Sequence, residues 1–399
     1  MKIGILSQDF IGWSGGVDFL AGVVESLLAS PRSKSAEFYL IIADSGPRLR
    51  WRQFKRRWKD KISGKTPKPG FAPSAEVVRE AFAPFENQIS IQHIDVGRSA
   101  FRRAVDKLKL DAVLPALNPP ARHFTRPWVG YAFDFQHKYF PQNFTPESCR
   151  SRDEHFVAML TTAKAVIVNS RAVASDIAKF VPQATARVFA LPFSAAPHSD
   201  WFEDISGVPA RYGINGPYFI ISNQFWPHKD HATAFEAFAL LAAQKPEVQL
   251  VCTGSTLGAS DPEYFPNLMR KMEARGLKKR VHILGLIPKR DQIELMKNSC
   301  AVVQPTLFEG GPGGGCIYDA VALDLPAIIS DIPVNREIEN QRVGFFPAGN
   351  AEALVAQMNS HLGRSRGRPD ASALLSAGRA RRAACGDMLW QAIDFVLDK

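Results

Sequence analysis

Short apolar runs recur along this chain, each closed by Gly, Pro, Asp or Ser and followed by a longer stretch whose apolar positions fall three or four apart. In the first half the runs at 2–7, 38–43, 89–94, 111–117, 128–132, 165–170 and 187–191 read as strands. In the second half those at 218–222, 249–253, 281–285, 301–305 and 343–346 do so. Most are apolar at consecutive positions rather than alternate ones, as strands are when a parallel sheet is covered on both faces. The intervening patterns predict helices near 15–30, 74–84, 98–108, 147–163, 171–180, 230–243, 261–275, 316–324 and 388–397. Strand and helix in regular alternation predict an α/β protein with doubly wound parallel sheets, whose ligands bind beyond the C-terminal strand ends.

The alternation is broken twice. Residues 192–217 have the Pro, Ser and Gly content of a linker, and with 399 residues a division into two domains there is the natural expectation. The other break, 48–68, carries much of the net charge of +10. As a helix it would place Trp51, Phe54, Trp58 and Ile62 on one stripe, flanked by Arg52, Lys55, Arg56, Arg57, Lys59 and Lys61. Two interpretations stay open: core packing with a solvated basic face, or a helix lying on an anionic membrane surface. A nucleic acid would accept the same charge, but no recognition motif accompanies it.

Composition narrows the class further. At 46% hydrophobic and 22% charged residues the chain is globular rather than disordered, and no apolar run approaches the roughly 20 residues of a membrane span. MKIGILSQDF reads as a first strand rather than a signal peptide, so a cytoplasmic location is expected. Five dispersed cysteines without CxxC spacing read as reduced thiols. There is no DxD pair for a metal-bound diphosphate, and no GxxxxGK[ST], HExxH or GxSxG, which argues against an NTPase, a zinc protease or a serine hydrolase.

Chemistry concentrates in FEGGPGGGCIYDAVALDLPAIISD, from Phe308 to Asp331. A strand, a Gly-rich turn and a helix start in that order present backbone N–H groups and a positive helix end to an anion, most often a phosphate. Glu309 and Asp319 flank the turn. A carboxylate repels a phosphate, so these two would accept hydrogen bonds from hydroxyl groups attached to it, as in a nucleotide sugar. The same five glycines also suit a tight strand-to-helix connection with no ligand.

This segment resembles the EGxG-to-acid region of the retaining GT-B glycosyltransferases of family 4. There the first acid contacts the donor sugar and the second the ribose. The two acids here lie two residues further apart than the family pattern, and the second is Asp rather than Glu. The likeness extends over most of the chain. Lys229, at the mouth of a helix after the YFIIS strand, matches the lysine that binds the donor diphosphate. The arginine that usually precedes it is replaced by Asn223 and Gln224. His137, in FDFQHKYFP, resembles a histidine facing the sugar or acceptor, and Leu286 and Ile287 the loop around the base.

The resemblance therefore implies two Rossmann-like domains facing a cleft. They span 1–195, with a basic insertion at 46–73, and 216–375, joined by a linker at 196–215, and a C-terminal helix at 376–399 returns to the first domain. The implied catalytic residues are His137, Lys229 and Glu309. Implied donor contacts are Gly15, Gly16, Gly254, Leu286, Ile287, Gly310, Gly311, Gly313, Gly314, Gly315 and Asp319, with no metal ligand and no cofactor beyond a nucleoside-diphosphate sugar as co-substrate. Transfer of a hexose or deoxyhexose, with retention, to a lipid-linked or cell-envelope glycan is the implied reaction. The rivals are a nucleotide-sugar epimerase or hydrolase on the same fold, and a non-catalytic basic protein that binds membrane or nucleic acid.

Overall fold

The structure, a computed structural model, describes residues 1–7, 10, 14–45, 75–95, 98–121, 123–257, 261–363 and 370–398. The aromatic and basic stretch at 48–68 lies outside them, as does all of the insertion expected at 46–73.

In the first half, strand β1 (Lys2–Leu6) leads into helix α1 (Ser14–Ala29), then β2 (Glu37–Ser45), α2 (Ala75–Phe82), β3 (Ile89–Asp95), α3 (Arg98–Leu108), β4 (Ala112–Ala116) and β5 (Trp128–Tyr131). A short α4 (Gln136–Tyr139) precedes α5 (Pro146–Thr162), β6 (Ala165–Val168), α6 (Arg171–Phe180) and β7 (Arg187–Ala190). The second half runs α7 (Val208–Arg211), β8 (Tyr218–Ser222), α8 (His231–Gln244), β9 (Gln249–Thr253), α9 (Tyr264–Ala274), β10 (Val281–Gly285), α10 (Lys289–Asn298), β11 (Val302–Gln304), α11 (Gly314–Ala322), β12 (Ala327–Ser330), β13 (Val343–Phe346), α12 (Ala351–His361) and α13 (Ala371–Val396).

Among the described residues these strands form two parallel sheets, ordered β3-β2-β1-β4-β5-β6-β7 and β10-β9-β8-β11-β12-β13. Each reverses its winding at one place, between β1 and β4 in the first sheet and between β8 and β11 in the second. At such a reversal the loops leave in opposite directions and open a crevice. The consecutive apolar positions behave as expected of doubly covered strands: β6 is AVIV with all four residues buried, and β12 is AIIS likewise. Polar caps set where helices begin. Ser170 Oγ accepts from Val173 N at 3.1 Å at the start of α6, and Asp370 Oδ1 accepts from Ala373 N at 3.0 Å at the start of α13.

Residues 192–217 do not run free between the domains. Trp201, Val208 and Ile214 are buried in the core of the second sheet. The last helix, α13, is 26 residues long and packs on the first domain. Leu389, Trp390, Ile393 and Val396 enter the first core, where full burial of a side chain such as Trp390 contributes about 2 to 3 kcal/mol. The approach of α13 to α1 is close: a Cβ added at Gly386 would lie 2.0 Å from the Ser26 carbonyl oxygen. Polar contacts line the seam, with Arg32 donating to both Asp394 oxygens at 2.5 and 2.9 Å and Arg382 paired with Glu25 at 2.8 Å.

All five cysteines are free thiols. Among the described residues, no helix is long and apolar enough to cross a membrane.

Candidate active site

Because β8 and β11 are neighbours at the winding reversal, the segments that follow them meet above the sheet. After β8 the chain turns through a single 3-10 turn, Pro227–Lys229, and reverses at Asp230, whose φ of 49° is left-handed. Asp230 tolerates that angle because its carboxylate caps α8, accepting from Thr233 N at 3.3 Å. Lys229 is thereby aimed at the loop after β11, where its Nζ donates to Glu309 Oε1 at 2.5 Å. Both side chains are about nine-tenths enclosed.

Glu309 is held from a second side by Gln304 Nε2 at 3.0 Å, and Gln304 Oε1 in turn accepts from Asn223 Nδ2 at 2.5 Å and from Cys316 Sγ at 3.3 Å. The turn and the loop are also tied through the backbone: Leu307 N and Thr306 Oγ1 both donate to the His228 carbonyl, at 2.8 and 3.1 Å. Burial beside Lys229 pushes the imidazoles of His228 and His231 down to about 3, so both are neutral near pH 7.

The glycines divide by role. Gly313 and Gly314 have φ of +68° and +64°, and a Cβ at Gly314 would sit 3.4 Å from Glu309 Oε1, so the backbone that opens α11 runs directly past the carboxylate. The Gly313 N–H donates to Asn335 Oδ1 at 2.8 Å. Gly310 and Gly311 instead face the first domain. A Cβ at Gly310 would meet the Phe133 carbonyl at 2.8 Å, and Ser170 Oγ donates to the Gly310 carbonyl at 3.3 Å. At Gly315 the space is open, and at Gly254 a Cβ would strike the Asn223 carbonyl at 2.2 Å, which pins the β9 loop against the β8 loop.

A second ion pair stands beside the first. Lys289, at the start of α10, donates to Asp319 Oδ2 on α11, and its ammonium lies 5.4 Å from the centre of the Trp201 ring. Asp18, on α1 of the first domain, faces the same group. Enclosure between the domains raises the Asp18 carboxyl and Lys289 pulls it back, while Asp319 raises it further.

Of the other predicted residues, Leu286 is 83% exposed at the end of β10, and Ile287 packs against the second core. Gly15 and Gly16 lie in the first turn of α1, rather than in a loop ahead of it. His137 is not brought to the Lys229–Glu309 pair. Its side chain has no exposed surface, its ring lies stacked 5.9 Å from that of Phe156, and its Nε2 bonds Asp153 Oδ1 at 2.9 Å. Burial lowers its affinity for a proton. Asp134 of the same loop packs against Gly310, its carboxyl raised by burial and, more weakly, by Glu309.

The matched architecture is GT-B: two parallel-sheet domains across a cleft. Residues 210–372 match the family model of the glycosyl transferases group 1. Three solved structures show how far the fold is shared. HepE of Anabaena, in complex with UDP and glucose, is 16% identical with a TM-score of 0.61, each chain covered to 99%. Sucrose-phosphate synthase of Thermosynechococcus elongatus is 16% identical with a TM-score of 0.60, over 100% of this chain and 97% of that one. The lipopolysaccharide outer core galactosyltransferase WaaB, in apo form, is 14% identical with a TM-score of 0.54, over 98% and 99%.

The group 1 segment contains both ion pairs. It also contains residues that sequence reasoning passed over: Lys289, Gln304, Asn335 and Glu337. Glu337 accepts from the backbone N–H groups of Arg171 and Ala172 at 2.9 and 2.8 Å, capping α6 of the opposite domain. Lys289 had a legible signal. A lysine at the first position of a helix sits against the helix dipole and calls for a carboxylate partner.

Proposed function

We infer that this protein is a retaining glycosyltransferase that moves a hexose or deoxyhexose from a nucleoside-diphosphate sugar to an acceptor hydroxyl. The observation that carries the inference is the enclosed Lys229–Glu309 pair, set at the winding reversal of the second sheet beside the left-handed glycines that open α11. The group 1 match over the same residues supports it. In this mechanism the donor's anomeric C–O bond to diphosphate breaks while the acceptor oxygen bonds the same carbon from the same face. The acceptor's proton passes to the departing phosphate oxygen. Lys229 and the N-terminal amides of α11 stabilise the charge that develops there, and Glu309 turns to the hydroxyls of the sugar. No metal or further cofactor is assigned a part.

His137 acts from beneath the cleft in this scheme, positioning the loop that carries Asp134. The acceptor is a lipid-linked or envelope glycan, in keeping with the cleft between two domains and with the galactosyltransferase likeness. Thermal stabilisation by UDP, GDP, dTDP and CDP and their sugar forms tests the donor site. A shift confined to one base, lost in Lys229→Ala and weakened only for the sugar form in Glu309→Ala, is expected. No shift with any of them would overturn the inference.

A further inference from the structure

The Lys289–Asp319 pair is placed for ligand chemistry rather than for fold. Lys289 is the first residue of α10, so its own helix end repels it; the ammonium is held instead by Asp319, the Trp201 face and, across the cleft, Asp18. Enclosure pulls the Lys289 ammonium down, yet Asp319 and Asp18 outweigh it and raise the group above its ordinary value. Half of its side-chain surface stays exposed, whereas Asp319 is largely covered.

Among the described residues around the crevice, two ammonium groups, Lys229 and Lys289, stand against the carboxyl groups of Glu309, Asp319, Asp18 and Asp134. A nucleoside-diphosphate sugar adds two further negative charges. A dianion enters such a site only if the carboxylates find partners other than the lysines, which frees both ammonium groups for phosphate oxygens. Hydroxyl groups supply those partners: the sugar's for Glu309, and for Asp319 the ribose's, since Lys289 and Asp319 stand two residues beyond the exposed base-side Leu286–Ile287 turn and one helical turn into α11.

We propose that Lys289 is a second phosphate-binding residue of the donor site, paired with Asp319 until ribose hydroxyls take over that carboxylate. This rests on the donor-binding assignment above and adds to it a residue on α10, outside the turn and the Gly loop. Lys289 acts on the nucleotide half of the donor, so its contribution falls on affinity for the diphosphate, whereas Lys229 acts on the bond that breaks.

The test is calorimetric titration of the full chain with UDP and GDP, and with uridine and guanosine as phosphate-free counterparts, for Lys289→Met, Lys289→Arg and Lys229→Met. Because Lys289→Met strands the Asp319 carboxylate, Lys289→Met/Asp319→Asn is included as a variant without an unpaired charge. The expected result is a loss of about tenfold or more in affinity for the preferred diphosphate in Lys289→Met, with nucleoside affinity unchanged and most of the loss restored by Arg, and in the double variant a diphosphate loss that exceeds the nucleoside loss caused by Asp319→Asn. In turnover, Lys289→Met should raise KM for the donor more than it lowers kcat. Unchanged diphosphate affinity in the Met variants, while Lys229→Met abolishes it, would overturn the role of Lys289 and leave the donor site standing. An Arg variant as weak as Met would also overturn it. Binding of none of the four compounds by the unsubstituted chain would overturn both.

Discussion

Replacing Lys229 by Met should harm the protein in two separable ways, and the geometry sets the size of each. The ammonium is 2.5 Å from Glu309 Oε1, and both side chains are nearly enclosed. Removing one partner of such a pair leaves the other charge buried, at about 3 to 5 kcal/mol. Glu309 keeps its hydrogen bond from Gln304 at 3.0 Å, which places the loss near the lower end, about 3 kcal/mol. Glu309→Gln, which keeps an acceptor for Lys229, should cost about 2 kcal/mol. In Lys229→Met/Glu309→Gln no charge is stranded, and the combined loss should be only about 1 to 2 kcal/mol, a coupling of about 3 to 4 kcal/mol. Urea unfolding, read on the transition of the second domain, measures it. Turnover behaves differently: loss of the ammonium should lower kcat by about 10² to 10³, and the double variant should recover none of that. Additive stabilities, to within about 0.5 kcal/mol, would refute the buried-pair argument. Recovery of turnover in the double variant would refute the catalytic one.

Other expectations follow from single contacts. His231 has neither ring nitrogen hydrogen-bonded and lies stacked 4.0 Å from Phe225; burial holds it near a pKa of about 3, below its unfolded value of about 6.5, so its share of stability is present above pH 6.5 and is lost as pH falls toward 3. His231→Phe should cut the loss between pH 7 and pH 5 by about 2 kcal/mol in urea midpoints, and an unchanged pH slope would contradict the assignment. Glu337→Ala, which removes two charged hydrogen bonds from the first turn of α6, should cost about 2 kcal/mol and speed hydrogen exchange at the Arg171 and Ala172 amides. Protection retained at those two amides would count against the interdomain cap. Gly386→Ala forces α13 off α1 and should cost about 1 to 3 kcal/mol by overpacking, seen as earlier proteolysis of the C-terminal helix; wild-type resistance would show that the helices part freely.

How much of this was legible in the sequence depends on the range of the interaction. Strands such as YFIIS and AVIV were readable because each carries its own burial pattern, and that Lys229 and Glu309 lie beyond the sheet was readable because each follows such a strand. Helix α12 was not predicted, and α13 begins at Ala371, ahead of the 376–399 expected for the C-terminal helix. Its first part, ASALLSAGRARRAACG, is rich in small residues and arginine, and Gly378 and Gly386 there admit the neighbouring backbone. His137 was expected at the cleft from its position after β5; that position fixes the loop but not which way the ring turns, and the aromatic rings of Phe135 and Phe156 take it inward. Partners such as Lys289 with Asp319 or Glu337 with α6 are set by topology alone, and no local period announces them.

The return of α13 to the first domain also bears on the order in which the molecule is made. Leu389, Trp390 and Ile393 belong to the first core, yet they leave the ribosome only after the whole of the second domain. The second domain is contiguous from the 3-10 turn at Ser199–Phe202 to the end of α12, so all its strands are available while the first domain still lacks the helix that covers α1. The half that is synthesised first is therefore the half completed last. Until α13 emerges, the face of α1 that meets it stays uncovered on the nascent chain, a surface for a chaperone to shield.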